Sequence, residues 1–310
     1  MARTRKSPRN QRPSGASAHA PSNASAERGK PKNTAGKSSR SADHMRRSDS
    51  ASAGNEKAGY AGTLKPSYAG AYFLFGRNSV ETALNNPHRE CLKLIGTAKS
   101  LSDKSITGIR PGIKTLQVDT LDDIAAAVPE GAPHQGILLE VRFLAGLHLE
   151  DLAPNAGKKN IIVMLDQVTD PHNVGACMRS AAAFGARALI TQDRNSPTES
   201  GTLARAASGG LEVLPWLRVP NLSNALEKLR DMGYWHVGLD GNTQMSIKDV
   251  SLGDNIVIVM GSEGSGLRPL VKKNCDVIAK IPMTGAVESL NVSNAAAIAL
   301  YELGQKILPQ

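Results

Sequence analysis

The sequence predicts an α/β protein. Its C-terminal part holds a parallel sheet, a smaller α/β domain precedes it, and a basic disordered tail comes first. Three observations carry this. From residue 160 onward, short apolar runs alternate with helix-like stretches, as in a sheet covered on both faces. A shorter alternation of the same kind fills residues 69–143. Residues 1–68 hold almost no large apolar side chain, so they cannot bury enough surface to offset their ordering entropy.

Charge follows the same division. Residues 1–68 carry 14 Lys and Arg against 4 Asp and Glu, a net of +10, whereas the whole chain is +9. The basic character therefore belongs to the tail, which reads as an electrostatic hold on RNA. A solubilising or targeting extension is the plainer alternative. No apolar run approaches the roughly 20 residues needed to span a bilayer. Cys91, Cys177 and Cys275 lack metal-ligand spacing and even pairing, so they read as packing residues in a reducing, cytoplasmic setting, with no metal.

In the small domain, residues 71–76 read as a strand and 79–84 as a short helix with Asn78 as its N-cap. Residues 91–96 and 115–118 are further strands, 120–128 a helix, and 135–142 a closing strand. Residues 144–159 form a linker broken by Pro154, Asn155 and Gly157. In the large domain, 160–310, strands are expected at 161–165, 188–191, 211–215, 235–239, 256–260 and 277–281. Helices are expected at 173–184, 201–208, 222–232 and 292–306.

Three polar segments each follow a strand and lead toward a helix: Asp170 to Gly175, with Arg179 beyond; Gly261 to Gly266; and Glu288 to Ser293. Loops at the carboxyl ends of parallel strands converge on one crevice, so the three imply one polar site. Asn173 could instead cap its helix. Arg179 lies six residues on, off the face of Asn173. The glycine segment reads G-x-x-G-x-G, not the dinucleotide G-x-G-x-x-G, and it lies late in the chain, which argues against a nucleotide-dependent oxidoreductase. Ser289, Asn291, Ser293 and Asn294 crowd one helix start, where capping needs a single residue. The small-residue helix that follows suits close packing on another helix.

Taken in order, these segments resemble the SpoU (TrmH-type) RNA ribose 2′-O-methyltransferases of the SPOUT class. The matching stretches are Asn173 to Gly185 with Arg179, Ile258 to Leu267 with Glu263, and Ile281 to Met283 with Ser289 to Ser293. Upstream, Phe75 to Leu84 and His134 to Gly136 look like the small ribosomal-protein-like RNA-binding domain of the subgroup that modifies a guanosine of 23S rRNA. The resemblance implies a homodimer of trefoil-knotted domains that binds S-adenosylmethionine. It places Gly261, Glu263, Gly264, Ile281, Met283 and Leu290 at the cofactor, and Arg179, Asn173, Glu263, Ser289 and Asn291 in catalysis. Arg77, Asn78, His88 and Arg89 are candidate RNA contacts from the small domain.

The implied reaction is methyl transfer to a ribose 2′-hydroxyl of RNA, most simply a guanosine of 23S rRNA. Two roles stay open for Arg179: local deprotonation to act as base, or stabilisation of the developing alkoxide while phosphate or water takes the proton. A tRNA loop guanosine is the alternative substrate. A non-catalytic RNA-binding assembly factor is the alternative of a different class.

Overall fold

The computed structural model describes residues 64–305, and all of them fall in one compact unit. Most of the basic tail, residues 1–63, lies outside the described residues. The expected tail boundary at 68 is too late. Leu64 is buried against Phe73, Phe75 and Ile95, and the Ser67 backbone N–H donates to Glu140 Oε1.

The small sheet has strands β1 (Ala71–Phe75), β2 (Cys91–Thr97), β3 (Thr115–Val118) and β4 (Ile137–Arg142), in the order β1-β4-β2-β3. β4 pairs antiparallel with β1 and β2, while β2 and β3 run parallel. Period-two alternation sorts its side chains. Phe73, Phe75 and Leu138 enter a local core, whereas Leu74, Ile137, Leu139 and Val141 enter the core shared with the large sheet. Helices α1 (Arg77–Asn85), α2 (Ala98–Leu101), α3 (Lys104–Thr107) and α4 (Leu121–Ala125) connect the strands. Gly76, not Asn78, is the N-cap residue of α1, so the expected Asn78 cap is corrected. Thr120 and Asp123 form a reciprocal capping box that sets the start of α4.

The large sheet has six strands: β5 (Asn160–Asp166), β6 (Ala188–Gln192), β7 (Trp216–Val219), β8 (Trp235–Leu239), β9 (Asn255–Gly261) and β10 (Val277–Ala279). Their order is β10-β8-β9-β5-β6-β7, and every pairing is parallel. Helices α5 (Pro171–Ala183), α6 (Gly201–Ala207), α7 (Gly210–Val213), α8 (Leu222–Asp231), α9 (Pro269–Lys273) and α10 (Val292–Gln305) join or flank the strands. The expected strand at 211–215 is replaced by α7, and the strand begins at Trp216. Leu211 and Leu214, three apart, both face the core, a helical spacing that an unbroken apolar run conceals.

From β5 the chain runs outward through β6 and β7, then returns to the other side at β8 and β9. The strand order therefore reverses between β5 and β9, where ligands bind in open α/β sheets. Asp166 at the end of β5 is the pairing partner of Gly261 at the end of β9. α10 packs on α5, with Ala296, Ala299, Leu300 and Leu303 buried and Tyr301 edge-on to Phe184 at 6.1 Å. The small-residue helix thus finds its close neighbour within the same chain. No described helix is long and apolar enough to cross a membrane.

Candidate active site

The three polar segments meet at this reversal. Asp170 caps α5, its Oδ1 accepting from His172 N at 2.9 Å, which frees Asn173 from the capping role. Asn173 Nδ2 reaches Glu263 Oε1 at 3.4 Å. Asn291 Nδ2 donates to the same carboxylate oxygen at 2.6 Å and to Asn173 Oδ1 at 2.9 Å. The Val292 backbone N–H adds a third donor to Glu263 Oε1 at 3.2 Å. Asn291 Oδ1 accepts from Ser293 N at 2.8 Å, so it caps α10 as well. One carboxylate therefore ties the ends of three segments that lie 90 and 28 residues apart in sequence.

The glycine segment is shaped by close approach. A Cβ at Gly261 would stand 2.1 Å from the carbonyl carbon of Gly266, because residues 262 and 266 bridge back on each other. Gly264 (φ +90°) and Gly266 (φ +65°) occupy the left-handed region. The far end of this loop is held by Asp166, a fully buried carboxylate. Its Oδ2 accepts from Arg268 N at 2.9 Å and its Oδ1 from Arg268 Nε at 2.7 Å. Arg268 Nη2 also donates to Gln192 Oε1 at 2.8 Å.

Beside this loop, the segments after β8 and β10 lock together. Lys280 N donates to Met245 O and Ile247 N to Lys280 O, both at 2.9 Å. Met245, Met283 and Val287 are exposed there, whereas Ile281 and Leu290 are half-buried. Exposed apolar side chains beside the glycine-lined loop suit a ligand with an apolar heterocycle.

Arg179 is not part of this cluster. It sits four residues after Gly175, whose Cβ would stand 2.5 Å from Leu203 O, so this edge of α5 presses on α6. Arg179 and His172, the residue before Asn173, line an adjoining cleft of about 520 Å³ between α5, α6 and the small sheet. Ser289 is exposed on the loop before α10.

The small-domain candidates divide. Arg89 is corrected outright: it is buried, and its guanidinium binds Glu199 and Glu212 of the large sheet's helical side, not solvent or RNA. Arg77 is exposed but engaged, at 2.5 Å from both Asp103 Oδ2 and Ser105 Oγ. The Ser105 hydroxyl and the Arg77 guanidinium lower the Asp103 carboxyl to a pKa of about 2. Asn78 and His88 are exposed. All three cysteines are free, and burial pushes the Cys177 and Cys275 thiols up to about 12, as inert packing residues require.

The profile of the SpoU rRNA Methylase family matches residues 160–301, which contain the whole cluster. A 23S rRNA (guanosine-2′-O-)-methyltransferase RlmB of Vibrio parahaemolyticus is 38% identical over 241 residues, covering 74% of this chain and 95% of its own length. The chain belongs to the SpoU rRNA methylase family. The RlmB of Pseudomonas aeruginosa is 35% identical over 246 residues, 76% of this chain and 97% of that one. Among solved structures, the SpoU methyltransferase AviRb from Streptomyces viridochromogenes, in complex with AdoMet, superposes with a TM-score of 0.66 at 25% identity. The match covers 76% of this chain and 90% of that one.

Within this SpoU family chain, the sequence reading passed over Asp166, Arg268, Glu199 and Glu212. Asp166 carried a usable signal, since a carboxylate closing a fully apolar strand needs a partner. The others carried none, because each is an ordinary charged residue on a polar helix or loop until the fold supplies its partner.

Proposed function

We propose that this chain transfers a methyl group from S-adenosylmethionine to the ribose 2′-hydroxyl of a guanosine in 23S rRNA. The observation that carries the reading is the Glu263 carboxylate, which receives Asn173, Asn291 and Val292 at the point where the strand order reverses. The identity to RlmB proteins over nearly their whole length supports the substrate.

The cofactor would lie against Gly261, Gly264, Ile281, Met283 and Leu290, where glycine backbone and apolar side chains fit its adenosine and methionine arm. Bound there, S-adenosylmethionine supplies a methyl already activated by the adjacent positive sulfur. The chain's own work is placement and charge. Glu263 fixes the three loops, and Asn173 and Asn291, held by it, present the remaining polar edge to the ribose, with Ser289 beside them. The Arg179 guanidinium makes no hydrogen bond or ion pair with any described residue. It is therefore available to stabilise the alkoxide that develops as the 2′-hydroxyl loses its proton. Fixed donors in a preformed site act on such charge without reorganising.

We further infer a homodimer of trefoil-knotted chains acting in the cytoplasm. Support comes from the exposed Ile298 and Tyr301 on α10, which leave an apolar strip for a second copy, and from the interlocked segments around Met245 and Lys280. The small sheet, with Asn78 and His88, would add RNA contacts, and residues 1–68 would add electrostatic attraction.

The test is methyl transfer from radiolabelled S-adenosylmethionine to total RNA from cells lacking this protein, followed by mapping of the 2′-O-methylated positions. Label at one 23S guanosine is expected. Label in tRNA would keep the chemistry and overturn the substrate. No label in free RNA or in ribosome precursors would favour a binding factor instead.

A further inference from the structure

The cleft between the small sheet and α6 contains a second arginine that neither the motifs nor the cluster use. Arg205 is half-buried, yet its guanidinium, like that of Arg179, has no hydrogen bond or ion pair with any described residue. A permanently charged group removed from part of its water calls for an anion. Both arginines line the same cleft, together with His172 and the amide of Asn78. Among the described residues that line the cleft, Glu130 is the one carboxylate, and it is exposed.

The fold keeps this cleft open. Gly76, at φ +80°, is where a Cβ would stand 2.5 Å from Arg205 Nη1, so its bare backbone makes the room that the guanidinium occupies. At Gly201 a Cβ would stand 2.4 Å from Phe73 O, so α6 rests directly on β1 and the walls are fixed. A planar guanidinium on a rigid wall matches a phosphodiester through paired N–H···O bonds.

We propose that Arg205 binds an RNA phosphodiester next to the target nucleotide, in the cleft it shares with Arg179. This assignment rests on the proposed RNA methyltransferase function and adds a positioning residue to it. The anchored phosphate would bring the neighbouring ribose toward Arg179. It also gives the small sheet a definite task, as the far wall of the RNA channel.

Two measurements test it. In the wild-type protein, phenylglyoxal modification is followed peptide by peptide with and without unmethylated 23S rRNA. Protection of Arg205 by about tenfold or more is expected with RNA bound, and none with millimolar inorganic phosphate alone. Equal modification of Arg205 in free and RNA-bound protein would overturn the proposal, as would equal protection by inorganic phosphate. In the Arg205→Gln variant, RNA affinity is expected to fall about tenfold. The slope of log affinity against log salt should drop by about 0.7 to 0.9, the loss of one phosphate contact. Arg205→Lys should restore the slope but only part of the affinity. An unchanged slope in Arg205→Gln would overturn the proposal while leaving the methyltransferase reading intact. Wild-type protein that methylates no RNA would instead remove that reading itself.

Discussion

Arg89 and Glu212 face each other through two contacts, Nη2 to Oε1 at 2.6 Å and Nε to Oε2 at 3.1 Å, with both side chains buried. The pair joins the turn between α1 and β2 to α7. Arg89 Nη1 extends the link to Glu199, at 2.5 Å, which also accepts from the Tyr72 hydroxyl at 2.6 Å. Burial works against the guanidinium's charge, but the bond to Glu212 and the nearby charges of Tyr72, Glu199 and Glu212 together outweigh it and raise the pKa of Arg89. Burial and the Glu199 charge raise Tyr72.

Arg89→Ala leaves two enclosed carboxylates without their shared cation, with only neutral donors such as Tyr72 and Asn86 still bonded to them. It is expected to destabilise the protein by about 3 to 5 kcal/mol, as for other broken buried pairs. Arg77→Ala, at an exposed pair that solvent screens, should lose far less. Urea unfolding of the two variants side by side checks the contrast, and similar losses would refute it.

Glu263→Ala removes the common acceptor of three N–H groups. With hydrogen bonds to charged groups contributing about 1.5 to 3 kcal/mol, S-adenosylmethionine affinity should fall about tenfold or more. Glu263→Gln keeps an acceptor oxygen and should lose less. Titration calorimetry reads both, and equal affinities for wild type and Glu263→Ala would detach this carboxylate from the cofactor site.

Arg179→Ala is expected to lower the single-turnover methylation rate by about 10² to 10³ while leaving cofactor affinity unchanged, the signature of lost transition-state stabilisation. A rate near that of wild type would end its assignment to catalysis.

His236 gives a pH prediction. Its ring is fully buried, with Nδ1 at 3.0 Å from Asn274 O and Nε2 without a partner, and burial lowers its pKa below 6.5. The unfolded chain therefore takes up a proton before the folded one does. The stability this neutral ring contributes is full above about pH 6.5 and is lost as pH falls toward the folded value. The melting temperature should decline more steeply between about pH 7 and 5 in wild type than in His236→Asn. Parallel melting curves would show that the ring does not drive the decline.

Much of the site was legible because its chemistry is local. Asn173, Gly261 to Gly266 and Asn291 lie on segments that follow strands, and the carboxyl ends of strands in a parallel sheet share an edge whatever their order. That Glu263 would bind both asparagines required the reversal between β5 and β9, which sets Asp166 beside Gly261. Arg89 was misread for a related reason. An arginine beside a turn looks solvated until α7 brings Glu212 against it, and α7 itself was hidden in an apolar run whose period cannot be fixed over so few residues. Periodicity and turn chemistry act over a few residues, so the sequence by itself determined all but one of the strands, most helices and the polar segments. Burial and charge pairing act between residues far apart in the chain, such as Arg89 and Glu212 or Gly76 and Arg205. Only the tertiary structure decided which arginine is a strut and which is left facing an open cleft.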